Sequence, residues 1–164
     1  MKKGNELLLL LFFLLFTNSA TSQEIIAHRG FWKTEGSAQN SITALMKADS
    51  IGVYGSEVDI LISADGVPVV NHDATVTLDG KQLRVEETPF NILRQVKLSN
   101  GEPLPTVKEY LDAFEKCKKT KLIIEFKPHE KKEREVELAQ KVIEMVHARG
   151  LQDKVEYISF GIHF

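Results

Sequence analysis

Seven ionisable side chains fall within or just after apolar, strand-forming runs. His28 and Arg29 follow Ile25, Ile26 and Ala27. Glu57 and Asp59 lie two apart in the run SEVDILIS. His72, with Asp73 beside it, closes the valine-rich run from Val67 to Asn71, and Glu125 and Lys127 are two apart at the end of LIIEFK. Residues two apart in a strand share one face, so each of those two pairs presents its side chains together. Three carboxylates, Glu57, Asp59 and Glu125, offer hard oxygen ligands that suit Mg²⁺ or Ca²⁺ better than zinc. His28 and His72 can divide proton acceptance and donation. Arg29 and Lys127 would neutralise an anionic substrate. One divalent cation, two imidazoles and two cationic side chains are the equipment for cleaving a phosphodiester.

Each feature has a plainer reading. A histidine at a strand end is often only hydrogen-bonded, Glu125 and Lys127 are spaced for a simple ion pair, and Glu57 and Asp59 would also suit the wet face of a strand. Those readings weaken in a parallel sheet, whose two faces are normally covered. Carboxylates turned into a covered interior cost several kcal/mol each unless partners or a metal satisfy them.

The elements that must carry these residues alternate between strand and helix. Strands are expected at 25–28, 56–63, 67–71, 122–126 and 155–160. Helices are expected at about 40–51, from Thr106 through Cys117, and at 133–149. Thr106 followed by Glu109 reads as a capping box, and Gly52 and Gly150 are stops. In the last helix Val136, Ala139, Val142, Ile143 and Val146 are taken as the packed face. The polar stretch 74–105 reads as an inserted functional loop with a hairpin turn at Asp79-Gly80. The class is α/β, a parallel sheet covered by helices. The pattern leaves open whether the sheet is doubly wound or closed, and no GxGxxG follows the first strand.

The chain has 164 residues and a formal net charge of −2 with both signs interspersed, which argues against a nucleic-acid partner. The lone Cys117 forms no intramolecular disulfide. Residues 1–22 read as a signal peptide: Lys2 and Lys3, an apolar run from Leu7 to Phe16, then small residues up to Ser22. That run is shorter than the about 20 residues of a membrane span, so export to the periplasm or beyond is expected rather than a stable anchor.

The segments AHRG, GSEVDILISADGVPVVNHD and LIIEFK resemble the signature of the glycerophosphodiester phosphodiesterases, and the resemblance covers residues 25–160. It implies a TIM (β/α)₈ barrel and hydrolysis of small glycerophosphodiesters to glycerol 3-phosphate and an alcohol. It also implies Glu57, Asp59 and Glu125 as metal ligands, His28 and His72 as the acid/base pair, and Arg29 and Lys127 as phosphate contacts. Where the family shows Pro-Glu-Asn, this chain has Ala38-Gln39-Asn40. An eight-stranded barrel takes roughly 200 residues or more. The chain therefore reads as a partial barrel, with about five of the eight strands, truncated at its C-terminal side. Two alternatives stand beside the enzyme: an inactive fragment that associates with a second copy through an exposed sheet edge, and a phospholipase-like enzyme acting on lipids. By Gly30 the backbone is expected to turn sharply or to approach a ligand.

Overall fold

The computed structural model describes residues 23–160; the leader expected at 1–22 lies outside them. Its main sheet has five strands. Strands β1 (Ile26–Ala27), β2 (Gly55–Ile62), β6 (Lys121–Phe126) and β7 (Val155–Ser159) run parallel in the order β1-β2-β6-β7. Strand β3 (Pro68–Val70) pairs with the far end of β2, Ile60 opposite Val70 and Ile62 opposite Pro68. A separate hairpin joins β4 (Thr75–Leu78) to β5 (Lys81–Arg84). Asp79 and Gly80 at its tip both have positive φ, as the twist of a two-residue hairpin requires.

The third strand corrects the sequence reading in one respect: it is antiparallel, not a wall of the parallel sheet. Only Ser63–Val67 separate β2 from β3. A parallel crossover takes a dozen residues or more, so this connection can only fold back. The hydroxyl of Ser63 accepts from Val67 N and Gly66 turns with φ +80°, which fixes the reversal.

Helix α1 (Ile42–Ile51) starts at Ser41, whose hydroxyl accepts from Ala44 N, and stops at Gly52 in the left-handed conformation. Glu102, from the inserted stretch, also accepts from Ile42 N and Thr43 N and so ties that stretch to the start of α1. The short α2 (Phe90–Leu93) lies within the insertion, and α3 (Val107–Phe114) carries both hydrogen bonds of the Thr106–Glu109 capping box. Helix α4 (Lys132–Ala148) buries Leu138, Ala139, Val142 and Val146, whereas Val136 and Ile143 are exposed. Its packed stripe is thus rotated from the one expected.

Alternation along β2 divides the interior. Val58, Ile60 and Ile62 face the helices in one core with Leu111, Phe114, Leu138 and Val142. Leu61 belongs to a second core beneath the insertion, with Val69, Val76, Val85, Leu93 and Leu104. Glu57 and Asp59 share the face of Leu61. The helices therefore pack on the face of Val58, Ile60 and Ile62, and the acidic face is left for chemistry.

Candidate active site

Strands β2 and β6 lie in register, so that Asp59 is directly opposite Glu125 and Glu57 is opposite Ile123. One oxygen from each of Glu57, Asp59 and Glu125 falls within 4.8 Å of the others, and all three residues are buried. Each carboxylate is held from behind. The Arg29 backbone N–H donates to Glu57 Oε2 at 2.7 Å. Asn40 donates to Asp59 Oδ2 at 2.8 Å and its own Oδ1 accepts from Asp59 N at 3.1 Å. Lys127 Nζ donates to Glu125 Oε1 at 2.6 Å and lies 3.3 Å from Asp59 Oδ1.

Those contacts leave two buried oxygens, Glu57 Oε1 and Asp59 Oδ1, without a hydrogen bond. Burial, reinforced by the neighbouring Asp59 charge, pushes the Glu57 carboxyl up to about 7. Burial works against the Lys127 ammonium, but the Glu125 hydrogen bond and the Asp59 charge outweigh it and raise its pKa. Orphaned oxygens, an all-oxygen donor set and a carboxyl with an elevated pKa fit a hard divalent cation held by Glu57, Asp59 and Glu125.

Arg29 reaches the same group from the end of β1. Its Nε is 3.4 Å from Asp59 Oδ2 and its Nη1 donates to Gln39 Oε1 at 2.6 Å. Gln39 thus takes an acceptor role toward Arg29 without adding a charge. Arg29 and Asn40 both have φ of +59°, a conformation that side chains other than glycine adopt at a cost of about 1–3 kcal/mol. The Asn40 amide to Arg29 carbonyl bond, 3.0 Å, locks the two bends together. Gly30 also has positive φ, and a Cβ there would stand 2.6 Å from Ala44 Cβ. The sharp turn expected at this glycine is present, and the backbone there approaches helix α1 closely.

The two histidines occupy the rim. His28 Nε2 is 4.0 Å from Glu57 Oε2 with most of its ring in solvent. His72 Nδ1 is 2.6 Å from Asp73 Oδ1. A carboxylate can only accept, so the proton lies on Nδ1 and Nε2 is left for other partners. His72 and Arg29 line one cleft of about 230 Å³ together with Trp32, Gln39, Asn40 and Asn71. All seven side chains singled out in the sequence are thus in or beside this one region. Asn40 was not among them, because its bond to Asp59 spans 19 positions of sequence; the one local hint was an asparagine immediately before a helix cap.

Residues 28–162 match the model of the Glycerophosphoryl diester phosphodiesterase family. The chain belongs to that family. Among curated relatives of the family, Glycerophosphodiester phosphodiesterase 1 of Mus musculus is 36% identical over 112 residues, which is 62% of this chain and 32% of that protein. Among solved structures, a glycerophosphodiester phosphodiesterase from Parabacteroides distasonis superposes with a TM-score of 0.79 at 45% identity, covering 85% of this chain and 57% of the other. A phosphodiesterase from Oleispira antarctica, solved in complex with the product sn-glycerol-3-phosphate, matches at 26% identity and a TM-score of 0.72, covering 87% and 60%. The chain therefore spans about a third of the mouse relative and somewhat over half of these solved chains. The four parallel strands correspond to part of the family's barrel.

Proposed function

We propose that this protein hydrolyses glycerophosphodiesters to glycerol 3-phosphate and an alcohol, with one Mg²⁺ or Ca²⁺ held by Glu57, Asp59 and Glu125. The observation that carries the reading is the convergence of these three buried carboxylates, two of them with an oxygen that accepts no hydrogen bond, beside one guanidinium, one ammonium and two imidazoles. A bound divalent cation would polarise a phosphate oxygen and lower the pKa of a coordinated water or hydroxyl. Arg29 and Lys127 offset the charge of the phosphodiester and hold it over the carboxylates. Asn40 keeps Asp59 from rotating, and the Arg29 backbone does the same for Glu57. His28 and His72 share the proton transfers, one accepting from the attacking oxygen and the other donating to the leaving alkoxide. Asp73 holds the His72 ring with Nε2 free for that exchange.

Export by the 1–22 leader is part of the same proposal, supported by its basic start, apolar run and small-residue exit. Association with further strands has support at both sheet edges: Ile25 and Ile26 on one side, and Tyr157, Ile158 and Phe160 on the other, are exposed apolar side chains.

The test is release of glycerol 3-phosphate from glycerophosphocholine by the folded chain in Mg²⁺ or Ca²⁺. Turnover that disappears with EDTA and with Asp59→Asn is expected. A folded, metal-loaded chain that releases no glycerol 3-phosphate from any glycerophosphodiester would overturn the proposal.

A further inference from the structure

Strands β2 and β6 pair as far as Ile60 opposite Phe126, and the Lys127 N–H extends the ladder by donating to the Ile60 carbonyl at 3.1 Å. In a parallel ladder the next rung would join the Ile62 N–H to the Lys127 carbonyl. The His129 ring takes that place. Ile62 N–H donates to His129 Nε2 at 3.1 Å, and the Lys127 backbone is the partner of the ring's other side. A ring nitrogen that accepts carries no proton, so the proton is on Nδ1, where a carbonyl can receive it. The His129 backbone N–H donates in turn to Glu135 Oε1 at 2.9 Å, in the first turn of α4. Lys132 Nζ donates to the same oxygen at 3.0 Å.

Only a neutral ring can serve both neighbours, because a protonated one would point a second donor at the Ile62 N–H. His129 is 8% exposed, and burial lowers its pKa. Glu86 and Glu135 favour a proton on the ring and Arg134 opposes one, and burial outweighs the two carboxylates. Held on both sides, the ring fixes how the chain departs from β2 after β6. The residue at that departure is Lys127, whose Nζ lies 2.6 Å from Glu125 Oε1 and 3.3 Å from Asp59 Oδ1.

Building on the phosphodiesterase reading, we propose that His129 is a positioning residue: its neutral ring spaces the end of β2 from the Lys127 backbone and so sets where the Lys127 ammonium meets the substrate phosphate. It acts through Lys127 and not on the substrate.

Nitrogen-15 NMR of the full chain reads the ring directly. It should show a neutral ring protonated at Nδ1, titrating below the about 6.5 of a solvated histidine. His129→Leu fills similar space but leaves the Ile62 N–H unmet. It should raise KM for glycerophosphocholine about tenfold and change kcat by less than about twofold, the pattern of lost phosphate binding. His129→Gln, whose amide can both accept and donate, should recover most of that loss. In a Lys127→Met background, His129→Leu should have no further effect on KM. Should His129→Leu fail to fold, His129→Asn, whose shorter amide does not reach the Nε2 position, takes its place. A ring protonated at Nε2, an unchanged KM in the folded variant, or the same loss persisting in Lys127→Met would each overturn the proposal. A native chain without turnover would count against the assigned reaction alone. Amide exchange then decides the role of His129: faster exchange at both Ile62 and Lys127 in the variant supports it, and unchanged exchange overturns it.

Discussion

On the outer surface, where α3 meets α4, Asp112 accepts from Lys108 Nζ at 2.8 Å and from Arg149 Nη2 at 2.9 Å, while Glu115 lies 3.3 Å from Arg149 Nε. Both Asp112 oxygens are engaged, and the hydrogen bonds from Lys108 and Arg149 hold its pKa below the usual carboxylate value. Inside the sheet, Glu57, Asp59 and Glu125 also have cations beside them, yet two of their oxygens accept no hydrogen bond and Glu57 is driven up to about 7. The same residue types thus give a settled surface network in one place and an unsettled buried group in the other. Carboxylates at the surface find cations with little positional cost. Three on one buried face cannot all be matched by side chains, and a small, doubly charged ion would complete them.

The largest break in this comparison should come from removing a group that serves only the inner cluster. His28→Ala is expected to lower kcat by about 10²–10⁴-fold in steady-state assays while leaving the melting temperature unchanged, since its ring is mostly in solvent. Next is the support behind the ligands: Asn40→Ala should weaken divalent-ion affinity by about 10–100-fold, measured by calorimetric titration.

Glu57→Gln sharpens the contrast through pH. The folded-state pKa of Glu57, about 7, exceeds its ordinary 4.5, so the protonated acid favours folding. That contribution is complete below pH 4.5 and is lost as pH rises through 7. In EDTA at pH 8, Glu57→Gln should therefore be more stable than the native chain by on the order of 1–3 kcal/mol in urea melts, an advantage that fades toward pH 4. At the surface, Asp112→Asn should leave the urea midpoint and the activity close to those of the native chain, because exposed ion pairs contribute little.

How far these features could be read from residue order depends on the range of the interactions. Local chemistry was legible. The Thr106–Glu109 box, the Asp79-Gly80 turn and the period-two spacing of Glu57 and Asp59 all act within a few residues and all occur where expected. The direction of β3 was also written locally, in a connection too short to cross over. What period alone could not supply was packing between distant segments. The α4 stripe shifted toward Leu138 because the core, rather than the helix, chooses which apolar side chains to cover. Asn40 and His129 owe their roles to backbone groups on β2 that lie 19 and 67 positions away. Neither partner is visible without the fold.

The central claim is that Glu57, Asp59 and Glu125 jointly hold one hard cation. Isothermal titration of the metal-free full chain with Mg²⁺ or Ca²⁺ tests it most directly. One ion per chain, with binding abolished in Asp59→Asn and protons released below pH 7 as Glu57 ionises, is the predicted result. A folded chain that binds neither ion, or that binds it equally well in Asp59→Asn, would contradict the account.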